Sequence, residues 1–270
     1  FFYFPLILLS ILGYGFFVSN KIIKFNNYNL GYQGIIGIFC LLLISYTSTQ
    51  FLAHNEIFNS LILTIGLILF LLNIKKINSS KKNFKLLLII FLLSLIFILV
   101  GKNHDDFHYY HFPYIITLTE YPHPLGLGSL NHGFKTHSSI FLLSSLFYLP
   151  GAKYTLFNLA PAYFLIFSNY IFLKLIFDKD VQKNYTFITF LSLSSLVFIN
   201  IFFYRLGEHG TDRSAMVLII MLVVNLLLFV NKSKEKIDDN YLKIFTIIFT
   251  IIISLKAFYL IYALILIPLI

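Results

Sequence analysis

"KLLLIIFLLSLIFILVGKNHDDFHYYHFPY", residues 85–114, decides the fold. Its first sixteen residues are almost pure hydrocarbon, and the next eleven hold two adjacent Asp and three His. That pattern is a membrane span ending where a polar cluster begins. The rest of the chain agrees. Of 270 residues, 59% are hydrophobic and 11% are charged, where an ordinary soluble domain carries about 25% charged residues. One soluble core could not take up so much Leu, Ile and Phe. The reading is an all-α, polytopic transmembrane helical bundle.

Working outward, the runs 1–18, 34–52, 57–74, 86–100, 154–173, 185–204, 215–230 and 244–263 come near the length of about 20 residues that a span needs. The run 138–150 is shorter and ends in Pro150-Gly151, so it reads as an interfacial or re-entrant helix. The loops then fall on two sides. Segments 19–33, 75–85, 174–184 and 231–243 hold 14 of the 20 Lys and Arg, and the other side holds Lys102, Lys135, Lys153, Arg205 and Arg213. Only Lys256 lies inside an apolar run of the remaining chain. The lysine-rich side is expected to be cytoplasmic.

All eight His and six of the eleven acids lie on the opposite, external side. The net charge of +9 is therefore a topology signal. No basic stripe with interleaved aromatics suggests a nucleic-acid partner. Cys40 is the single cysteine, which excludes an intrachain disulfide. The chain starts and stops inside apolar stretches, so a piece of a longer protein is expected.

The external segment 101–153 carries the unusual residues. Phe107, Tyr110, His111, Tyr114, Ile115 and Leu118 repeat as one helix face, with Asp105, His108, Phe112 and Thr119 opposite. That predicts an amphipathic helix lying on the outer leaflet. Pro113 complicates it, and a short turn at 104–111 followed by a helix from Pro113 fits equally well. Residues 120–139 contain two Pro and three Gly, which excludes a regular helix. This loop is expected to bring His123, His132, Lys135 and His137 to one surface.

Asp105 and Asp106 have two readings. As acids in a first helical turn they favour the macrodipole. Alternatively they are a base or metal site, because ionised groups at the edge of lipid are costly unless used or paired. His104, His108 and His111 share a helix face that either holds a metal or is solvated. The short loop 204–215 carries Arg205, Glu208, His209, Asp212 and Arg213. It is either a solvated hairpin with a helix cap or a second binding loop. Lys256 either snorkels to an interface or pairs with a lipid phosphate.

The order of spans, an Asp-Asp external loop, two spans and a short acidic loop resembles the membrane glycosyltransferases of the C-type fold. These lipid-phosphosugar-dependent enzymes are related to protein mannosyltransferases. The stretch "YHFPYIITLTEYPHPLGLGSLNHGFKTHSSIFLLSSLF" (110–147) resembles one in bacterial multi-spanning proteins of the same kind. The resemblance covers about 86–230, and divides the chain into N-terminal helices (1–85) and a transferase-like module (86–270). It implies sugar transfer from a polyprenyl-phosphate donor to an acceptor at the external face of a bacterial inner membrane. Asp105 and Asp106 match the catalytic acids of the first loop, and Glu208 and Asp212 match the second loop.

The residue chemistry is compatible with that. A carboxylate accepts the acceptor's proton. The departing phosphate needs positive charge, from Lys135, Arg205, Arg213, Lys256 or a divalent metal. His108, His111 and His137 complete the expected substrate contacts. The competing class is a transporter, flippase or polymerase of envelope lipids. Transporters place ionisable groups near mid-membrane, and no span here has an acid at its centre.

Overall fold

Apolar runs fold as helices because lipid leaves no other partner for backbone N–H and C=O groups. The computed structural model describes residues 2–25, 29–78, 81–99, 105–135, 137–202, 211–232 and 239–269. The helices are α1 (Tyr3–Val18), α2 (Leu30–Ser48), α3 (Glu56–Asn78), α4 (Lys81–Leu99), α5 (Phe112–Glu120), α6 (Leu127–Leu130), α7 (Ser139–Ser145), α8 (Ala160–Ile176), α9 (Lys179–Asn184), α10 (Thr186–Phe202), α11 (Thr211–Lys232) and α12 (Asp239–Leu255). Among the described residues five helical stretches are long and apolar enough to cross a membrane: Tyr3–Ile23, Leu30–Ser48, Glu56–Ile74, Tyr154–Ile176 and Thr211–Lys232. Three shorter apolar helices, Asn83–Leu99, Thr186–Phe202 and Tyr241–Leu255, fall where the sequence predicts spans. The chain is an all-α bundle of membrane-spanning type.

Helix α8 is the axis. It is apolar on every side, and Tyr163, Phe164, Phe167, Tyr170 and Phe172 are fully buried, as expected of a helix with no polar face. α2, α4, α10 and α11 pack around it. α3 sits outside, against α1, and turns Ile57, Leu61, Leu71 and Leu72 outward. In water that stripe would be a liability; against lipid it costs nothing.

Polar contacts sort the helix ends into two groups. At one end, Gln33 Nε2 donates to Ser19 Oγ at 3.0 Å and Lys174 Nζ to Asn83 Oδ1 at 3.2 Å. Lys232 pairs with Asp180 at 3.0 Å there. At the other end, Tyr3 donates to the Pro150 carbonyl at 2.9 Å, and Ser254 donates to Ser139 at 2.9 Å. The first group is the lysine-rich side of the sequence, and the second carries residues 105–153.

The last expected span, 244–263, needs correction. α12 stops at Leu255, and a 3-10 helix, Ala257–Leu269, follows Lys256. Lys256 is thus not inside a continuous span. It is half-exposed at the end of α12 and pairs with Asp212 in the first turn of α11. A cation at a helix C-terminus and an acid at an N-terminus both suit the helix dipoles.

Candidate functional site at one end of the bundle

The segment after α4 builds this end. A π-helical turn, Phe107–His111, runs directly into α5. Pro113 has no N–H to return to the preceding turn. Asn131 Nδ2 donates instead to the Tyr109 carbonyl, four residues before the proline, at 3.1 Å. The apolar face read from the sequence is real: Phe107, His111, Tyr114, Ile115 and Leu118 are buried. It packs on α7 and its neighbours rather than on a lipid surface. Thr119, expected on the polar face, is buried and donates to the Ile116 carbonyl at 2.8 Å.

α7 is the short helix within the run 138–150. Each of its seven residues is buried. Ser138 caps its start, accepting from the Ile140 N–H at 3.4 Å. Ser144 and Ser145 donate to the Phe157 and Leu142 carbonyls at 3.1 and 2.8 Å. The Ser145 hydroxyl thus meets one of the carbonyls that the end of so short a helix leaves open.

Two polar clusters flank α7. In the first, His54 is fully buried, stacked on Phe58, with Nδ1 2.7 Å from Ser145 Oγ and Nε2 2.8 Å from Ser48 Oγ. Ser145 already donates to Leu142, so it accepts from Nδ1–H, and Ser48 donates to Nε2. Burial pushes the ring's pKa down to about 4. Asn59 completes the lock, its Nδ2 lying within 2.9 Å of three carbonyls, those of His54, Ser145 and Tyr148.

The second cluster is a hydrogen-bonded chain from α2 to the loop. Tyr46 Oη lies 3.0 Å from His137 Nε2, and His137 Nδ1 lies 3.1 Å from Tyr114 Oη. Tyr114 Oη lies 2.9 Å from His123 Nε2. The buried Tyr114 has one proton between two imidazoles, so one ring donates to it and the other accepts. In one direction Tyr46 donates to His137, His137 to Tyr114 and Tyr114 to His123, and each link of the chain is then satisfied. Burial, with Tyr46 nearby, raises the Tyr114 pKa to about 12. Burial and the neighbouring His123 lower that of His137.

The sequence-derived site residues are only partly brought together. Asp105 is exposed and Asp106 half-buried at the start of the helical stretch. No side-chain cap bond from Asp106 closes the π turn. His108 is exposed, while His111 is buried against Tyr110 and Phe141, so these two do not share an open face. Lys135 is exposed beside Gly128. His137 joins the tyrosine chain. Asp212 is paired with Lys256, and Arg213 follows on α11. His104, Arg205, Glu208 and His209 lie outside the described residues. Among the described residues no group of three or more His, Cys, Asp or Glu is placed to hold a metal.

Tyr46 is the participant that sequence reading missed. Its signal is the run of hydroxyls "SYTST" (45–49) closing an otherwise apolar helix. Ser254 and Ser139 link this cluster to the Lys256–Asp212 pair, each lying two residues from a member of one of them. The curated proteins and the solved structures offer no match to the chain. The sequence pattern of the family described as Domain of unknown function (DUF8201) matches residues 1–270, and the chain belongs to that family.

Proposed function

We propose that this protein is a membrane glycosyltransferase. It moves a sugar from a polyprenyl phosphate to an acceptor at the face carrying residues 105–153, the external face of a bacterial inner membrane. The observation that supports this most is the placing of Asp105 and Asp106. They are the first described residues of a helical stretch whose next residue, Phe107, is anchored in protein. A carboxylate so held is solvent-accessible yet fixed in position, as a base at a lipid surface must be.

In the step proposed, one Asp takes the proton of the acceptor hydroxyl. The freed oxygen attacks the anomeric carbon as the bond to the phosphate oxygen breaks, inverting that carbon. The phosphate leaves with the electron pair, and its charge is met by Lys135 or by the cations around α11. A divalent ion is a further source of that charge. Two pairs of polar side chains inside the spans are tied up in structure and so are not offered to a translocated substrate. Tyr32 with Asn225, and Asn169 with Asn200, satisfy one another across helices.

Asp105→Asn and Asp106→Asn test the reading. Each variant is assayed with a labelled polyprenyl-phosphate sugar after insertion is checked. Loss of the base lowers transfer by about 10²–10⁴-fold. Full transfer by both variants removes this loop from catalysis, and uptake of label without transfer favours a transporter.

A further inference from the structure

The turn between α7 and α8 holds an unusual backbone. The Thr155 N–H donates to the Ala152 carbonyl at 3.1 Å, which closes a four-residue turn. Lys153 stands second in it, with φ 47° and ψ −130°. In a type II′ turn that place is glycine's, because a Cβ there is strained. Lys24 is the other non-glycine with positive φ among the described residues, and its φ 56° and ψ 42° are the ordinary left-handed values of a helix end. Contacts on both sides hold Lys153 in its strained state. Its N–H donates to the Leu149 carbonyl at 2.8 Å, Thr155 Oγ1 donates to the Ala152 carbonyl at 2.6 Å, and Tyr3 fastens Pro150. The Lys153 side chain is itself exposed, so no packing accounts for the strain. Strain that the fold does not use points to a ligand. We infer that Lys153 binds the phosphate of a membrane lipid beside the Asp pair.

Position and chemistry carry the inference. The Tyr154 ring meets Phe112 edge-on, with centroids 5.7 Å apart. Phe112 in turn lies 5.7 Å from Phe107, the residue after Asp106. The turn and the start of the 105–120 stretch therefore adjoin, and Asp105, His108, Lys153 and Tyr154 are exposed. Lys153 also directly precedes Tyr154–Ile176, a stretch fit to span. That places its ammonium at the edge of the bilayer, where lipid phosphates lie. An ammonium on a flexible stem is a common phosphate ligand.

Under the transferase reading, on which this rests only for the identity of the lipid, the phosphate is the donor's. Lys153 then adds to the positive charge that meets it as its bond to the sugar breaks.

Native mass spectrometry of the detergent-purified full chain tests the inference, with polyprenyl phosphate, the uncharged polyprenol and phosphatidylglycerol as probes. Polyprenyl phosphate should be retained about fivefold over polyprenol, the effect of one interfacial cation. Lys153→Gln should bring that ratio close to one, and Lys153→Arg should keep it. Lys153→Gly should also lose the preference, yet melt no lower than the wild type, because glycine takes the positive φ without strain. A wild-type ratio near one, an unchanged ratio in Lys153→Gln, or a clearly lower melting temperature of Lys153→Gly overturns the inference. Phosphatidylglycerol separates the two sources of phosphate. Weaker retention than polyprenyl phosphate assigns the site to the donor, and equal retention supports a site for bilayer lipid at the same lysine. Sugar transfer is not read in any arm, so the Asp105→Asn and Asp106→Asn assays decide the transferase reading separately.

Discussion

Burial keeps His54 neutral until the pH falls to about 4, well below the ordinary imidazole range. The unfolded chain binds its proton near pH 6.5, so between the two values the unfolded state holds more protons than the folded one. Stability from this group is therefore complete above about pH 6.5 and drains as the pH falls toward 4, by on the order of 3 kcal/mol in all. Thermal unfolding in detergent at pH 7.5 and pH 5 should show a marked loss in the wild type. His54→Gln should be weaker at pH 7.5 and lose less on acidification, with a residual slope from His137, whose pKa is lowered too. An identical slope in the variant would place the acid sensitivity elsewhere. Tyr114 makes a second residue-scale prediction. It serves two imidazoles where Tyr46 serves one. Tyr114→Phe should therefore cost about 1–3 kcal/mol, more than Tyr46→Phe, because it removes two hydrogen bonds of about 0.5–1.5 kcal/mol each rather than one. Equal losses would mean that the chain is not centred on Tyr114.

Elements were legible where one periodicity governed them. The stripe Phe107–Leu118 was readable because its members recur at three, four, seven, eight and eleven residues from Phe107, and the buried face largely matches it. His111 sat in that stripe, and its burial follows from its spacing; its chemical type had suggested a surface role. The Tyr46–His137 contact spans 91 residues, and no local pattern encodes such a meeting. Helix–helix closeness was equally hidden. Gly13 of α1 is packed so tightly on α3 that a Cβ there would overlap the Gly66 carbonyl. Small residues of this kind let backbones approach where no hydrophobic drive separates helix from lipid. Backbone cannot rotate away, so Gly13→Ala should cost about 3 kcal/mol or prevent the pair from forming. Gly128→Ala is the control. Its Cβ would meet only the flexible Lys135 side chain, at 3.0 Å, and should cost under about 1 kcal/mol. Melting temperatures of the two variants decide it; equal shifts would deny that α1 and α3 need contact at Gly13.

At the scale of the molecule, two sets of contacts tie the bundle together, and each stays at its own end. The lysine-bearing segments meet one another through Ser19–Gln33, Asn83–Lys174 and Asp180–Lys232. Residues 105–153 meet the start of α1, the end of α2 and the end of α12 through Tyr3–Pro150, Tyr46–His137 and Ser139–Ser254. Such sorting requires that successive long helices alternate in direction, with α5, α6 and α7 staying at one end. Lysine counting gave the same division from sequence, because retained cations and alternating helices are two consequences of one insertion event. The break at Lys256 was not legible, since apolar residues continue on both sides and only the distant Asp212 gives the cation a partner. The division makes a prediction that needs no knowledge of substrate. Asn78, at the end of α3, and Ser129, exposed in α6, belong to opposite ends. Reporters active only on one side of the membrane, fused after each residue, should give opposite signals, with Asn78 cytoplasmic. Equal signals would break the alternation itself. Opposite signals with Ser129 cytoplasmic would keep the fold and move the proposed chemistry to the inner face, where a lipid-linked sugar would have to be drawn from the other leaflet.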